Sequence, residues 1–197
     1  ALQQQNLKRL LAYSSIAHAG YLLVAFVAFT PESRSALLFY LVTYVVMNLG
    51  AFLVVIVLEE KYGIETVDGC KGLGWRSPQL GALTTIFLFS LTGLPPTAGF
   101  AGKFLLFATV VEDARSRSNV LGVALVVVAV LFSVISLFYY MRIAAAMWLQ
   151  KSRGEETHEE SPGAVYATLL WLLGLATIGI GLWWGPLESF SSLARLR

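Results

Sequence analysis

Residues 79 to 111, QLGALTTIFLFSLTGLPPTAGFAGKFLLFATVV, constrain this chain more than any other stretch. As one straight helix the stretch would run about 50 Å at 1.5 Å per residue, well past a hydrocarbon core of roughly 30 Å. Its middle carries Thr92-Gly93-Leu94-Pro95-Pro96-Thr97. Both prolines lack a backbone N–H, and Pro95 disfavours helical geometry at Leu94, so the hydrogen-bond ladder opens there and leaves carbonyls without partners. In lipid such an opening survives only where protein or a water-filled cavity satisfies the freed groups. Discontinuous helices of this kind line ion and substrate paths in transporters. Beyond the break stands a cation inside an apolar run, Lys103.

The rest of the composition agrees with a membrane setting. Of 197 residues 57% are hydrophobic and only 13% charged, and the mean hydropathy is +0.71, outside the range of ordinary soluble domains. A net charge of +2, with Lys and Arg at the ends of apolar runs, excludes nucleic acid as a partner class. The one cysteine, Cys70, excludes an internal disulfide and any multi-cysteine metal or iron–sulfur site. The chain opens on Ala1-Leu2-Gln3-Gln4-Gln5-Asn6, without an initiating Met or a secretory signal pattern, which leads to the expectation of a fragment with further sequence upstream.

The pattern predicts an all-α polytopic bundle, one membrane domain over residues 1–197. Its five spans are expected near 7–29, 36–58, 79–111 (broken near 93–96), 120–149 and 164–185. The first starts behind a possible cap, Asn6, and places Ser14, Ser15, His18 and Tyr21 on one face. The second aligns Tyr40, Tyr44 and Asn48 at i, i+4 and i+8. A Gly-rich polar loop, 59–78, follows; its glycines do not follow a strand or open a phosphate-binding helix, so a nucleotide site is a poor fit. A short loop, 112–119, leads to the fourth span, whose polar line is Ser133, Ser136 and Tyr140 and whose last turns, from near Arg142, are expected to leave the hydrocarbon. The charged loop 150–163 precedes the last span, which ends on Trp183 and Trp184, and where Gly181 and Gly185 have the GxxxG spacing of close helix contacts. On one face stand Lys8, Arg9, Lys61, Lys71, Arg76, Lys151 and Arg153; on the other stand Arg34, Arg115, Arg117, Arg195 and Arg197. The excess on the first face predicts a cytoplasmic N-terminus and an outside C-terminus.

Lys103 is the first candidate for chemistry. Snorkelling would need a stem reaching about 12 Å along the axis to the helix end near Val111, roughly twice what a lysine spans. An ionisable group at that depth normally faces a cavity or the bundle interior and marks a proton or ion path. Burial disfavours an ammonium and a neighbouring carboxylate favours it, so a lysine held between the two can load and release a proton. The span interiors hold no Asp or Glu; Glu32, Glu112 and Asp113 lie at span ends or in loops, so an acidic partner is expected from outside this sequence. His18 lies ten residues beyond Lys8, about 15 Å deeper and near mid-membrane, and is either a packed neutral imidazole or a relay. Lys8 with Arg9 reads by itself as a topology signal. The Tyr, Asn and Ser lines either bond neighbouring helices or wet a hydrophilic path. His158 among Glu155, Glu156, Glu159 and Glu160 reads as a solvated loop, and no residues have the spacing of a zinc site.

Two stretches, Asn6-Leu7-Lys8-Arg9-Leu10-Leu11-Ala12-Tyr13-Ser14-Ser15-Ile16-Ala17-His18-Ala19-Gly20-Tyr21 and Leu94-Pro95-Pro96-Thr97-Ala98-Gly99-Phe100-Ala101-Gly102-Lys103-Phe104, resemble the antiporter-like membrane subunits of respiratory complex I, the proton-pumping NADH–quinone oxidoreductase. Each motif alone is shared with related cation/proton antiporter subunits; the pair is more specific. The resemblance implies one inverted-repeat half of such a subunit plus a C-terminal helix, with protons moving along an axis of lysines, histidines and glutamates. It implies that Lys103 serves the proton exit side, that Lys8 connects two half-channels, and that His18 is the motif histidine. Ser14, Tyr21, Tyr44, Asn48, Ser136 and Tyr140 would support the polar path, and Gly93, Pro95 and Pro96 would form the break. It also implies no cofactor in this chain, with NAD, FMN, iron–sulfur clusters and quinone in partner subunits. The partners would be other membrane-arm subunits, adjacent antiporter-like ones included, and the lipid of a bacterial inner membrane. Two other readings stay open: a subunit of a cation/proton antiporter without redox coupling, and a scaffold that contributes packing only.

Overall fold

The structure, a computed structural model, describes residues 1–151 and 163–185. The charged loop with Arg153 and His158, and Arg195 and Arg197 near the end of the chain, lie outside the described residues. Seven α-helices follow one another among those described: α1 (Leu7–Val24), α2 (Pro31–Tyr62), α3 (Leu73–Arg76), α4 (Pro78–Thr92), α5 (Ala98–Ser116), α6 (Val120–Leu149) and α7 (Ala164–Leu182). α1, lengthened by a 3-10 turn to Val27, and α2, α6 and α7 are each long and apolar enough to cross a membrane; α4 is a shorter apolar helix. β-type pairing is limited, among the described residues, to one antiparallel bridge between Asn6 and Thr66.

Local chemistry fixes the helix starts. The Asn6 side chain accepts from Arg9 N–H at 3.1 Å, Thr30 caps α2 through Ser33 N–H at 3.1 Å with Pro31 in the first turn, and the Asn119 side chain accepts from Gly122 N–H at 3.3 Å. Helix bounds depart from the sequence expectation, first at the start of α2, which begins at Pro31 rather than near 36 because Thr30 caps it there. α2 continues to Tyr62 before Gly63, in the left-handed region, stops it, and α5 runs through Glu112 and Asp113 to Ser116 where a loop was expected. The polar 59–78 stretch also holds the short α3. Arg142, expected at the interface, is half-buried and donates to the carbonyls of Leu2, at 2.9 Å, and Gln4.

α2 is the central helix, packed against α1, α4, α5 and α7, while α6 covers α1, α4 and α5. The outer surface is apolar: Leu121, Leu125, Val128 and Phe132 on α6 and Leu172 and Leu175 on α7 are exposed. The polar side chains Ser14, His18, Thr43, Ser90, Lys103, Ser136 and Thr177 are buried. Apolar outside and polar inside is the arrangement of a bundle whose solvent is hydrocarbon, and the chain is an integral membrane protein. Gly181 on α7 meets Pro96 and Thr97, where a Cβ would collide with backbone, so α7 lies directly over the segment joining α4 to α5. Gly185, its expected GxxxG companion, faces nothing closer than the Trp183 ring at 3.9 Å.

Candidate functional site

α4 ends where the prolines require it to. Gly93 takes φ 91°, a conformation glycine adopts without a Cβ penalty; its N–H reaches Ser90 O at 3.0 Å, and Leu94 N–H reaches Phe89 O at 3.0 Å. This is a Schellman ending, and it satisfies two of the last carbonyls of the helix. Two more, Leu91 O and Thr92 O, receive no backbone donor because Pro95 and Pro96 lack one. Lys103 supplies their donors, with Nζ 3.0 Å from Leu91 O and 2.8 Å from Thr92 O. Its third hydrogen goes to Ser133 Oγ on α6 at 2.9 Å, and Ser133 in turn donates to Thr92 O at 2.9 Å. Lys103 stands five residues after Ala98, and helix side chains lean toward the N-terminus, so its stem points back at the break. α5 can approach α4 this closely because Gly99, whose Cβ would strike Ser90 O, donates its N–H to Ser90 Oγ at 3.0 Å.

The ammonium therefore rests on the negative end of the α4 macrodipole rather than on a carboxylate. It also lies over the Tyr21 ring, 4.7 Å from the centroid. Tyr21 meets His18 edge-on at 5.6 Å, which puts this ring in contact with both titratable groups. His18 is buried; its Nδ1 is 2.7 Å from Tyr40 Oη, its Nε2 is 3.5 Å from Tyr140 Oη, and its ring stacks on Tyr44 at 4.8 Å. The hydroxyl of Tyr21 is buried with no hydrogen-bond partner among the described residues. His18, Tyr21, Tyr44, Tyr140 and Lys103 thus form one cluster drawn from α1, α2, α5 and α6.

Other expected members stand at its margin or elsewhere. Ser14 donates to Leu11 O at 2.7 Å beside the Tyr140 hydroxyl, Ser136 donates to Ser133 O at 2.6 Å beside Tyr139, and Asn48 Oδ1 is buried without a partner among the described residues. Lys8 is not beside His18: it pairs with Glu59 at the end of α2, with about half its side chain exposed. Gly93 forms the turn of the break, and Pro95 and Pro96 lie within it, joined by a cis peptide bond. Sequence reasoning missed the Leu91 and Thr92 carbonyls, the part of Ser133 at the ammonium, and Glu59. The unpaired carbonyls at any helix C-terminus were a usable signal for the first, because a lysine leaning toward a break meets them.

The fold and this site define an all-α integral membrane bundle with a polar cluster at the end of a short apolar helix. The chain belongs to the family described as NADH:quinone oxidoreductase/Mrp antiporter, TM, whose model matches residues 1–136. It is 48% identical over 191 residues to NADH-quinone oxidoreductase subunit N 2 of Sorangium cellulosum (strain So ce56), a match covering 96% of this chain and 37% of that one. It is 42% identical over 193 residues to NADH-quinone oxidoreductase subunit N of Chlorobium chlorochromatii (strain CaD3), covering 97% and 37%. The chain thus spans little more than a third of the length of these relatives. In respiratory complex I from Thermus thermophilus with bound aureothin, a chain 33% identical superposes with a TM-score of 0.76 over 95% of this chain and 40% of that one. The Mrp complex from Dietzia sp. DQ12-45-1b contains a chain of the same fold, with a TM-score of 0.81 at 20% identity over 98% of this chain and 43% of that one.

Proposed function

We propose that the protein is a proton-translocating membrane subunit of an NADH–quinone oxidoreductase, a portion of its subunit N. In this reading α4 and α5 are the two halves of one broken span, so that α1, α2, the α4–α5 pair, α6 and α7 make five crossings. The observation that carries the proposal is a buried lysine whose three hydrogens sit on the Leu91 and Thr92 carbonyls and the Ser133 hydroxyl, with Tyr21 between it and His18. A buried cation held by neutral acceptors can give up its proton without separating an ion pair, which suits a group that cycles between charge states. His18, bonded through Nδ1 to Tyr40, is the amphoteric neighbour able to exchange protons with a hydrated path. Lys8, about 15 Å from His18 along α1, is the member nearest the face on which α1 begins, where Glu59 holds it.

Subunit N relatives and the shared family support this reading. Redox chemistry, with NAD, FMN, iron–sulfur clusters and quinone, belongs to other subunits, and this chain contributes the non-redox part of the translocase. Its partners are neighbouring membrane-arm subunits, antiporter-like ones among them, and the bilayer lipid. The excess of basic residues sets its N-terminal face toward the cytoplasm of a bacterial inner membrane.

The test is Lys103→Met in the complete subunit within the assembled complex, read as protons moved per NADH oxidised. A lowered ratio with normal assembly is expected; an unchanged ratio removes Lys103 from the path. Copurification with NADH-oxidising subunits separates this function from that of a redox-free antiporter subunit.

A further inference from the structure

The hydrogen bonds around Lys103 form a closed ring. Nζ donates to Leu91 O, Thr92 O and Ser133 Oγ, and Ser133 Oγ donates to the same Thr92 O. Ser133 thus accepts from the ammonium and holds an acceptor of that ammonium at the same time. It comes from α6, whereas the carbonyls belong to α4 and the lysine to α5. A cleft of about 370 Å³ between α5 and α6 reaches Lys103, Ser133 and Thr92, but its other walls are apolar, Phe100, Phe104 and Val134 among them, so the ring stands at the inner end of an otherwise apolar groove.

We propose that Ser133 is the positioning residue that lets Lys103 lose and regain a proton without leaving the end of α4. The inference rests on the reading of Lys103 as a proton carrier. In the charged state all three hydrogens of Nζ are used, and the Ser133 hydrogen lies on Thr92 O. When one N–H bond breaks and its proton passes to a water of the proposed path, the electron pair stays on nitrogen as a lone pair directed at Ser133. The two remaining hydrogens keep Leu91 O and Thr92 O satisfied. A serine hydroxyl turns freely about its Cβ–Oγ bond, so it swings from Thr92 O to donate to that lone pair. Both protonation states then keep Nζ, Ser133 Oγ, Leu91 O and Thr92 O hydrogen-bonded with no movement of a helix. A methyl in place of the hydroxyl removes an acceptor from the ammonium and a donor from the amine.

The experiment compares Ser133→Ala, Ser133→Val and Ser133→Thr in the complete subunit within the assembled complex. Val and Thr have the same shape and differ in the hydroxyl. Initial rates of NADH-driven proton translocation are expected to fall roughly tenfold in the Ala and Val variants, as for loss of a hydrogen bond to a charged group. The Thr variant should return to within about twofold of the parent, and NADH oxidation with an artificial electron acceptor should be unchanged in all three. Parental rates in Ser133→Ala overturn the proposal, and so does a Thr variant as slow as the Val variant, since shape rather than the hydroxyl would then decide. If Val does not assemble, the Ala and Thr pair decides alone. Lys103→Met keeps the two proposals apart: normal pumping in that variant refutes the carrier role of Lys103, whereas lost pumping in Lys103→Met beside a parental rate in Ser133→Ala refutes only the role of Ser133.

Discussion

Replacing Gly93 by alanine tests the helix break directly. At φ 91° and ψ 42° an L-residue is strained, and left-handed backbone costs a residue with a Cβ about 1–2 kcal/mol. Restricting the unfolded chain returns roughly 0.4–1 kcal/mol of that. The new Cβ would stand 3.0 Å from Lys103 Cδ and 3.4 Å from Nζ, so the lysine stem must also give way. Nζ is 2.8 Å from Thr92 O, which Ser133 also serves, and 3.0 Å from Leu91 O, and losing the bond to Leu91 leaves a buried carbonyl unpaired at about 1–3 kcal/mol. The sum is a destabilisation on the order of 1–4 kcal/mol, and for 150–250 residues each kcal/mol lowers the unfolding midpoint by roughly 2–4 °C. Gly20→Ala is the control: Gly20 is helical with nothing within 4 Å of its Cβ direction, and a gain of about 0.5–1 kcal/mol is expected there. The assay is thermal unfolding in detergent of both variants beside the parent. A Gly93→Ala midpoint at or above the parental one refutes the left-handed cap and the contact with Lys103 together.

Two further outcomes follow from single contacts. Tyr40→Phe removes the 2.7 Å partner of His18 Nδ1 and leaves a buried ring nitrogen unpaired, so stability should drop by about 1–3 kcal/mol and proton translocation should slow; parental behaviour in both assays argues that the bond has no role. Burial pushes the Cys70 thiol up to about 12 from 9.0, and because the thiolate is the reactive form, folded protein should resist a maleimide at pH 8 and react on unfolding. The folded value lies above the unfolded one, so this group's contribution to stability is present below pH 9.0 and is lost as the pH rises from there toward about 12. Rapid labelling of the folded protein would contradict the burial.

Much of the fold was legible because its signals are local. Asn6 starts α1 by accepting a backbone N–H within its own first turn, as its place before the apolar run suggested, whereas Thr30-Pro31, expected to lie in a loop, caps and opens α2. Pro95 and Pro96 end α4 through their own covalent structure. The ends of α2 and α5 were less visible, since charged residues such as Glu59 and Asp113 are as compatible with an emerging helix as with a loop. Lys8 with Glu59 joins residues from two helices, and no periodicity within either helix announces such a pair. The acceptors of Lys103 were hidden for a different reason: two of them are backbone carbonyls, which every residue carries.

The sequence by itself determined that the chain is a membrane bundle, that helix stops near Gly93 and the two prolines, and which faces of α1, α2 and α6 are polar. These properties follow from hydropathy, proline chemistry and the 3.6-residue period, all of which act over a few residues. Tertiary structure decided which polar faces meet. Periodicity gives a side chain's direction relative to its own helix axis, but the rotation of one helix against another is set by close contacts such as Gly99 on Ser90 and Gly181 on Pro96 and Thr97. Those contacts bring Lys103 back onto α4, turn Ser133 toward it, and leave Lys8 on a separate partner at the edge of the bundle.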